Sequence, residues 1–194
     1  LYLICGQTLW SFFNESTNMA MYSVLQNGSL IKKVYIPKFI FPMSRVFSSF
    51  VTMSFSLGAI LIVMLVTRAP LHWQLLLFPL PLVLLLVFSM GVSMVLSSLS
   101  VYFRDVTHLY GVVTLAWMYV TPVFYPVSAL PDEVAWVLKL NPMYYYLDNF
   151  RQLVLYGSLP TAKSWCICLL CSGVALAVGL AVFRKLQRNF ILYL

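Results

Sequence analysis

An all-α, polytopic integral membrane bundle is the fold class the sequence predicts, on three observations. Of 194 residues, 62% are hydrophobic and 9% charged, against about 25% charged in an ordinary soluble domain. The apolar residues gather into uncharged runs close to the ~20 residues of helix that a hydrocarbon core of ~30 Å requires. Those runs lack period-two alternation, and only helices or closed barrels satisfy the backbone in lipid.

Five spans are expected along the chain. The first, from Leu1 to about Leu25, is the most polar: Gln7, Ser11, Asn14 and Asn18, with Tyr22 after them, recur at steps of four or three and so line one helical face. Such a stripe cannot face lipid cheaply, so it should face other helices or a water-filled path. Glu15 borders it, and an ionisable residue at membrane depth is a functional candidate; the alternative is that it lies near enough to the cytoplasmic end to reach water. Val46 to Val66 is uncharged and closed by Arg68. Leu75 to Val101 carries Pro79 and Pro81 near its start and is long enough to tilt or kink. Thr107 to Tyr125 follows, then Trp165 to Phe183, closed by Arg184, Lys185 and Arg188. Ser89, Ser93 and Ser97 in one span, and Gly173, Ala177 and Ala181 in another, repeat at a spacing that permits close backbone approach.

Pro126 to Lys163 is too polar to cross a bilayer and too apolar for a simple loop, and reads as two short amphipathic helices. The first has Pro131 at an early position, with Asp132 and Glu133 where the helix dipole favours negative charge. Asn141 caps the second and Pro142 opens it. Met143, Leu147, Phe150 and Val154 form its apolar face, Asp148 and Arg151 are spaced so that they can pair across one turn, and Gly157 closes it. Too short to span, these helices are expected to dip into the outer leaflet and return, packed against protein.

Twelve Lys and Arg against five Asp and Glu give a formal charge of +7. The basic residues sit in small groups at the ends of apolar runs, which makes the charge a topology signal. A cytoplasmic loop from Gly28 to Arg45 and a cytoplasmic C-terminus collect Lys32, Lys33, Lys38, Arg45, Arg104, Arg184, Lys185 and Arg188 inside, leaving Arg68, Lys139, Arg151 and Lys163 outside. No interleaving of basic and aromatic residues on a polar surface supports a nucleic-acid partner. Cys5, Cys166, Cys168 and Cys171 lie in apolar stretches and read as small packing residues. The chain has no phosphate-binding G-x-x-x-x-G-K-[ST], no H-E-x-x-H, no G-x-S-x-G and no paired carboxylates within a span. The expectation is a protein that is not an enzyme and holds no cofactor or metal of its own.

Several stretches then coincide in order: LIKKVYIPKFIFP from Leu30 to Pro42, SVYFRDVTHL, TPVFYPVSALPDEV, LNPMYYYLDNFRQLVLYG and the closing FRKLQRNFILYL. Over essentially the whole chain this series resembles the permease subunit of type 2 ABC exporters, in the branch that moves lipid-linked surface polysaccharides and teichoic acids across the bacterial cytoplasmic membrane. The resemblance implies a single transmembrane domain over residues 1–194, with an interfacial helix and the first of six family spans preceding Leu1. It implies a homodimer working with a separate ABC ATPase subunit that binds ATP and Mg, in contact with membrane lipid and a lipid-linked glycan.

The resemblance assigns the stretch Leu30, Ile31, Lys32, Lys33, Val34, Tyr35 and Pro37 to a cytoplasmic coupling helix. The residues agree: Ser29 is placed to cap it, one side is apolar, and Pro37 ends it after two turns by forcing Ile36 out of helical geometry. A positive-inside anchor explains the lysines but not the bounded length. Arg104 and Asp105 correspond to the second cytoplasmic turn, either bridging locally or touching the ATPase. Phe124, Tyr125, Tyr144, Tyr145 and Tyr146 fall in the gate-forming external segment, as an interfacial aromatic belt or as rings that stack on sugars. An exporter of drugs or small lipids shares the fold. A nucleotide-independent channel or secondary transporter would instead carry paired midplane charges or inverted halves.

Overall fold

The computed structural model describes residues 1–34, 36–66, 73–125, 136 and 138–193, and all of its described secondary structure is helical. Helix α1 covers Tyr2–Gln26, α2 Gly28–Lys33, α3 Ile40–Val66, α4 Pro79–Tyr102 and α5 Val106–Val120. After the described part of the segment that follows α5 come α6 (Pro142–Arg151), a π-helical turn Gln152–Tyr156, α7 (Ala162–Leu186), a 3₁₀ turn Gln187–Asn189 and a final turn α8 (Phe190–Tyr193). The expected external helix at Pro131, Asp132 and Glu133, together with Tyr35 and Arg68, lies outside the described residues.

Among the described residues, three helical stretches are long and apolar enough to cross a membrane: Ile40–Val66, Trp73–Tyr102 and Ala162–Asn189. The other two expected spans differ from these for physical reasons. Helix α1 has 25 residues, enough length, but its polar stripe dilutes its apolar content. Helix α5 has only 15 residues, because the chain leaves helical geometry before Pro122: Thr121 is extended at φ −91°, ψ 132°, as a residue preceding proline prefers. The five expected helices are therefore present, while length and composition qualify three of them as spans.

Helices α1, α3, α4 and α7 make the body of the bundle, with α4 at its centre. An aromatic series runs through the core, each ring within about 6 Å of the next: Trp10 and Phe13 of α1 meet Trp117 of α5, Phe13 stacks on Phe88 of α4, and Phe88 meets Tyr146 of α6. The α4–α7 crossing is the tightest, with a Cβ at Gly91 falling on the backbone of Ala175 and a Cβ at Gly179 on the carbonyl of Gly91. Ser89, Ser93 and Ser97 are buried as expected. The Gly173, Ala177, Ala181 repeat is not the contact face: those residues are exposed and Gly173 has open space beside it. Contact is made between Gly91 of α4 and Ala175 and Gly179 of α7, small residues that let the backbones touch.

Two ends of the bundle are distinct. One gathers α2, the end of α4 and the end of α7 around a buried cluster of Val24, Ile31, Met94, Val101, Phe183 and Phe190. The other gathers Tyr2, the Thr121–Val123 turn and α6.

Candidate functional site

Helix α6 forms as its residues dictate. The Asn141 side chain accepts from the Met143 N–H at 3.0 Å and Pro142 opens the helix. Met143, Leu147, Phe150 and Val154 are buried, and Gly157 closes the π turn at φ 56°, in the left-handed region that glycine enters without a Cβ penalty. Asn141 also joins α6 to α5, its Oδ1 accepting from Trp117 Nε1 at 2.9 Å and its Nδ2 donating to Thr121 Oγ1 at 2.8 Å.

The expected Asp148–Arg151 pair is absent. Asp148 accepts from Gln152 Nε2 at 2.7 Å, whereas Arg151, 3% exposed, turns inward. Its Nη1 donates to the Tyr2 hydroxyl at 2.8 Å and to the Pro122 carbonyl at 2.7 Å, and its Nη2 to the Val123 carbonyl at 2.9 Å. The guanidinium carbon lies 3.6 Å from the centroid of the Tyr2 ring. Gly6 makes the room, since a Cβ there would meet the Arg151 Nη2 and stand 2.9 Å from the Val123 carbonyl. One side chain thereby ties α6 to the start of α1 and to the turn that ends α5. The sequence held a signal for this: Arg151 is four residues after Leu147 and three before Val154, so it lies on the apolar face of its own helix.

Burial raises the Asp148 carboxyl above its ordinary range, opposed by the Gln152 hydrogen bond and the nearby guanidinium. The folded protein therefore holds this proton more readily than the unfolded chain. The contribution to stability is fully present below the unperturbed value of 3.8 and is lost as pH rises through the folded pKa. Asp148→Asn is expected to raise the melting temperature in detergent at pH 7, the advantage closing as pH falls toward 3.8.

The polar stripe of α1 is its least covered face. Gln7 and Tyr22 are exposed, and Ser11, Asn14, Glu15 and Asn18 are partly covered. Gln7 Nε2 donates to Ser11 Oγ at 3.2 Å, and Asn18 Nδ2 donates to Asn14 Oδ1 at 2.8 Å. The stripe divides between two clefts. Gln7, Ser11 and Glu15 line one of about 480 Å³ against Ser49, Thr52 and Ser56 of α3, with Phe124 at the α6 end. Asn14 and Asn18 line a smaller one of about 220 Å³ against Gly111 and Thr114 of α5. Glu15 stands about three turns from the end of α1, well inside a helix of that length, which distances it from either end. The seryl and threonyl wall from α3 was not singled out in the sequence, because hydroxyls spaced through an apolar run also bond back to their own helix, as Thr52 and Ser56 do.

The aromatic candidates separate by burial. Phe124 is exposed, and Tyr125, Tyr144 and Tyr145 are partly exposed, the last two in edge contact at 5.2 Å. Tyr146 is fully buried, its hydroxyl 2.7 Å from Ser172 Oγ, so its ring packs α6 onto α7 and does not line a path.

At the opposite end, α2 is shorter than the two turns expected. Its N-cap is Asn27, Ser29 lies within it, and Val34 is already extended at φ −128°, ψ 135°, three residues before Pro37. Among its large apolar residues only Ile31 is buried, at 6% exposure, while Leu30 and Val34 are exposed beside Lys32 and Lys33. The helix is held by one anchor and presents two apolar and two cationic side chains outward. Arg104 and Asp105 are exposed in the turn between α4 and α5 and form no ion pair with each other.

Residues 1–155 match the family model described as "ABC-2 type transporter". Among similar proteins, an O-antigen export system permease protein RfbA of Klebsiella pneumoniae is 27% identical over 98% of this chain and 73% of its own length. A Myxococcus xanthus protein of the same name is 26% identical over 97% of this chain and 74% of its own length. The capsule polysaccharide export inner-membrane protein CtrC of Neisseria meningitidis serogroup A is 26% identical over 55% of this chain and 40% of its own length. With helices at the expected places, a polar-lined cleft and a small outward-presenting helix at the other end, the chain belongs to the ABC-2 type transporter family.

Proposed function

We propose that the chain is the membrane-spanning subunit of an ATP-driven exporter that moves a lipid-linked cell-surface polysaccharide outward across the bacterial cytoplasmic membrane. The observation that carries this is the cleft of Gln7, Ser11, Glu15 and the α3 hydroxyls, capped by Phe124, in a chain whose relatives are named as O-antigen and capsule permeases. Hydroxyl, amide and carboxylate groups along one wall offer the hydrogen-bonding partners of a sugar chain, and Phe124, Tyr144 and Tyr145 offer faces on which a sugar ring can stack. Leu109, Val112, Val113 and Tyr119 of α5 form an exposed apolar face, which supports a second copy completing the path as a homodimer.

Helix α2 is the candidate contact for the separate ATPase, which would bind the ATP and Mg. Leu30 and Val34 supply apolar contact, and Lys32 and Lys33 complement acidic partner groups. ATP binding drives the permease only insofar as its two conformations bind the ATPase states with different affinity. The test is capture of the cognate ATPase by the full-length protein, with ATP hydrolysis and glycan export measured together. Lys32→Glu with Lys33→Glu should reduce capture at least several-fold at low salt, and by less at high salt, where rim charges are screened. Undiminished capture and coupling would refute α2 as the contact.

A further inference from the structure

Where α7 ends, two side chains from elsewhere in the sequence bond to the carbonyls of Leu186 and Gln187, the latter also accepting from the Phe190 N–H. The Tyr102 hydroxyl, at the end of α4, donates to the Leu186 carbonyl at 2.8 Å. Lys38 Nζ, from the connection between α2 and α3, donates to the Gln187 carbonyl at 2.7 Å, where a cation also complements the helix dipole. The 3₁₀ turn Gln187–Asn189 then redirects the chain, and Phe190 returns fully buried. Its ring meets Phe183 edge-on at 5.6 Å and Tyr102 at 6.2 Å, and lies 5.7 Å from the Lys38 ammonium. The Tyr193 ring centroid stands 4.5 Å from that of Tyr102.

The same buried cluster contains Ile31, the anchor of α2. Helix α2 thus rests on a plug formed by the segment Gln187–Tyr193, and that plug is gripped by α4 and by the α2–α3 connection. A displacement of α2 reaches the other helices only through packed contacts, and interiors this dense pass displacement on as a unit.

We propose that the C-terminal segment Gln187–Tyr193, through Phe190, is the positioning element that transmits movement of α2 to α4 and α7. This rests on the reading of α2 as the ATPase contact. Leu30, Lys32, Lys33 and Val34 face away from the plug, so capture of the ATPase and transmission of its movement are separable.

The test uses the full-length protein in complex with its ATPase, comparing variants at equal membrane abundance. Phe190→Ala should retain ATPase capture within about twofold and lose export about tenfold while ATP hydrolysis continues, raising the ATP consumed per glycan exported. Phe190→Leu, which refills the apolar volume, should recover at least half of the export. Wild-type export and an unchanged ratio in Phe190→Ala would overturn the proposal, as would export that falls only in proportion to protein lost from the membrane. Should Phe190→Ala fail to accumulate, Tyr102→Phe combined with Lys38→Gln removes the two bonds to the Leu186 and Gln187 carbonyls and the ammonium beside Phe190, leaving the apolar cluster in place. A several-fold rise in the ratio is then expected, and a wild-type ratio overturns the proposal. Failure of the unaltered protein to capture any ATPase overturns instead the reading of α2, and this inference with it.

Discussion

Replacing Arg151 with methionine is expected to lower stability by roughly 3–5 kcal/mol, as removing one member of a buried polar cluster commonly does. Methionine restores most of the volume but donates nothing. The Pro122 and Val123 carbonyls and the Tyr2 hydroxyl are then left without the guanidinium that now reaches them at 2.7–2.9 Å. Each buried acceptor without a donor costs about 1–3 kcal/mol, and the contact with the Tyr2 ring is lost as well. Lysine should recover only part of the loss, since one ammonium cannot reproduce the planar fork that serves two carbonyls and a hydroxyl. Melting temperature in detergent and protection of the Thr121–Val123 turn from proteolysis are the measurements. A fall of about 10 °C is expected for Arg151→Met in a chain of this size, with the turn opening before the bundle unfolds. Melting within 2 °C of the unaltered protein would show that the turn and α6 are held by packing alone. Gly6→Ala should reproduce the effect in smaller measure, because its Cβ would occupy the space of the Arg151 Nη2.

Much of the architecture was legible because bilayer burial imposes strong constraints. The helices at Ile40–Val66, Pro79–Tyr102 and Ala162–Leu186 fall where uncharged apolar runs required them, and the apolar face, cap and closing glycine of α6 followed from spacing and turn chemistry. Ends were less legible. Helix α5 stops short at Thr121, an effect of Pro122, and α2 ends at the extended, β-branched Val34, before Pro37 can act. Arg151 was misplaced because an arginine near an aspartate suggests a surface pair, whereas three acceptors that the turn at Thr121–Val123 and the start of α1 bring together outcompete one carboxylate. Those acceptors are 28 or more residues distant in the chain, and no local pattern reports them. The polar stripe of α1 was read correctly as a face, but its division between α3 and α5 depends on how the helices are arranged around it.

Gly91 and Gly173 separate a packing glycine from one that merely sits in a helix. Both are helical and neither has an unusual backbone conformation, so propensity alone predicts that alanine at either position stabilises by about 0.5–1 kcal/mol. At Gly173 nothing lies within reach of the added methyl, and Gly173→Ala should show that small gain. At Gly91 the methyl falls on the backbone of Ala175, which cannot rotate away as a side chain could. Helices α4 and α7 must then separate along the crossing, stretching the 2.8 Å bond from Ser172 Oγ to the Leu84 carbonyl. In lipid, association of these helices relies on packing and hydrogen bonds more than on apolar burial, so the loss should outweigh the propensity gain and reach about 2–3 kcal/mol. Gly179→Ala should behave like Gly91→Ala, its Cβ meeting the Gly91 carbonyl. The two together should cost clearly less than their sum, because the first substitution already opens the crossing that the second needs. Thermal melts of the four variants in one detergent test the set. Equal melting of Gly91→Ala and Gly173→Ala, or strict additivity of Gly91→Ala with Gly179→Ala, would mean that the backbones of α4 and α7 do not meet at this crossing.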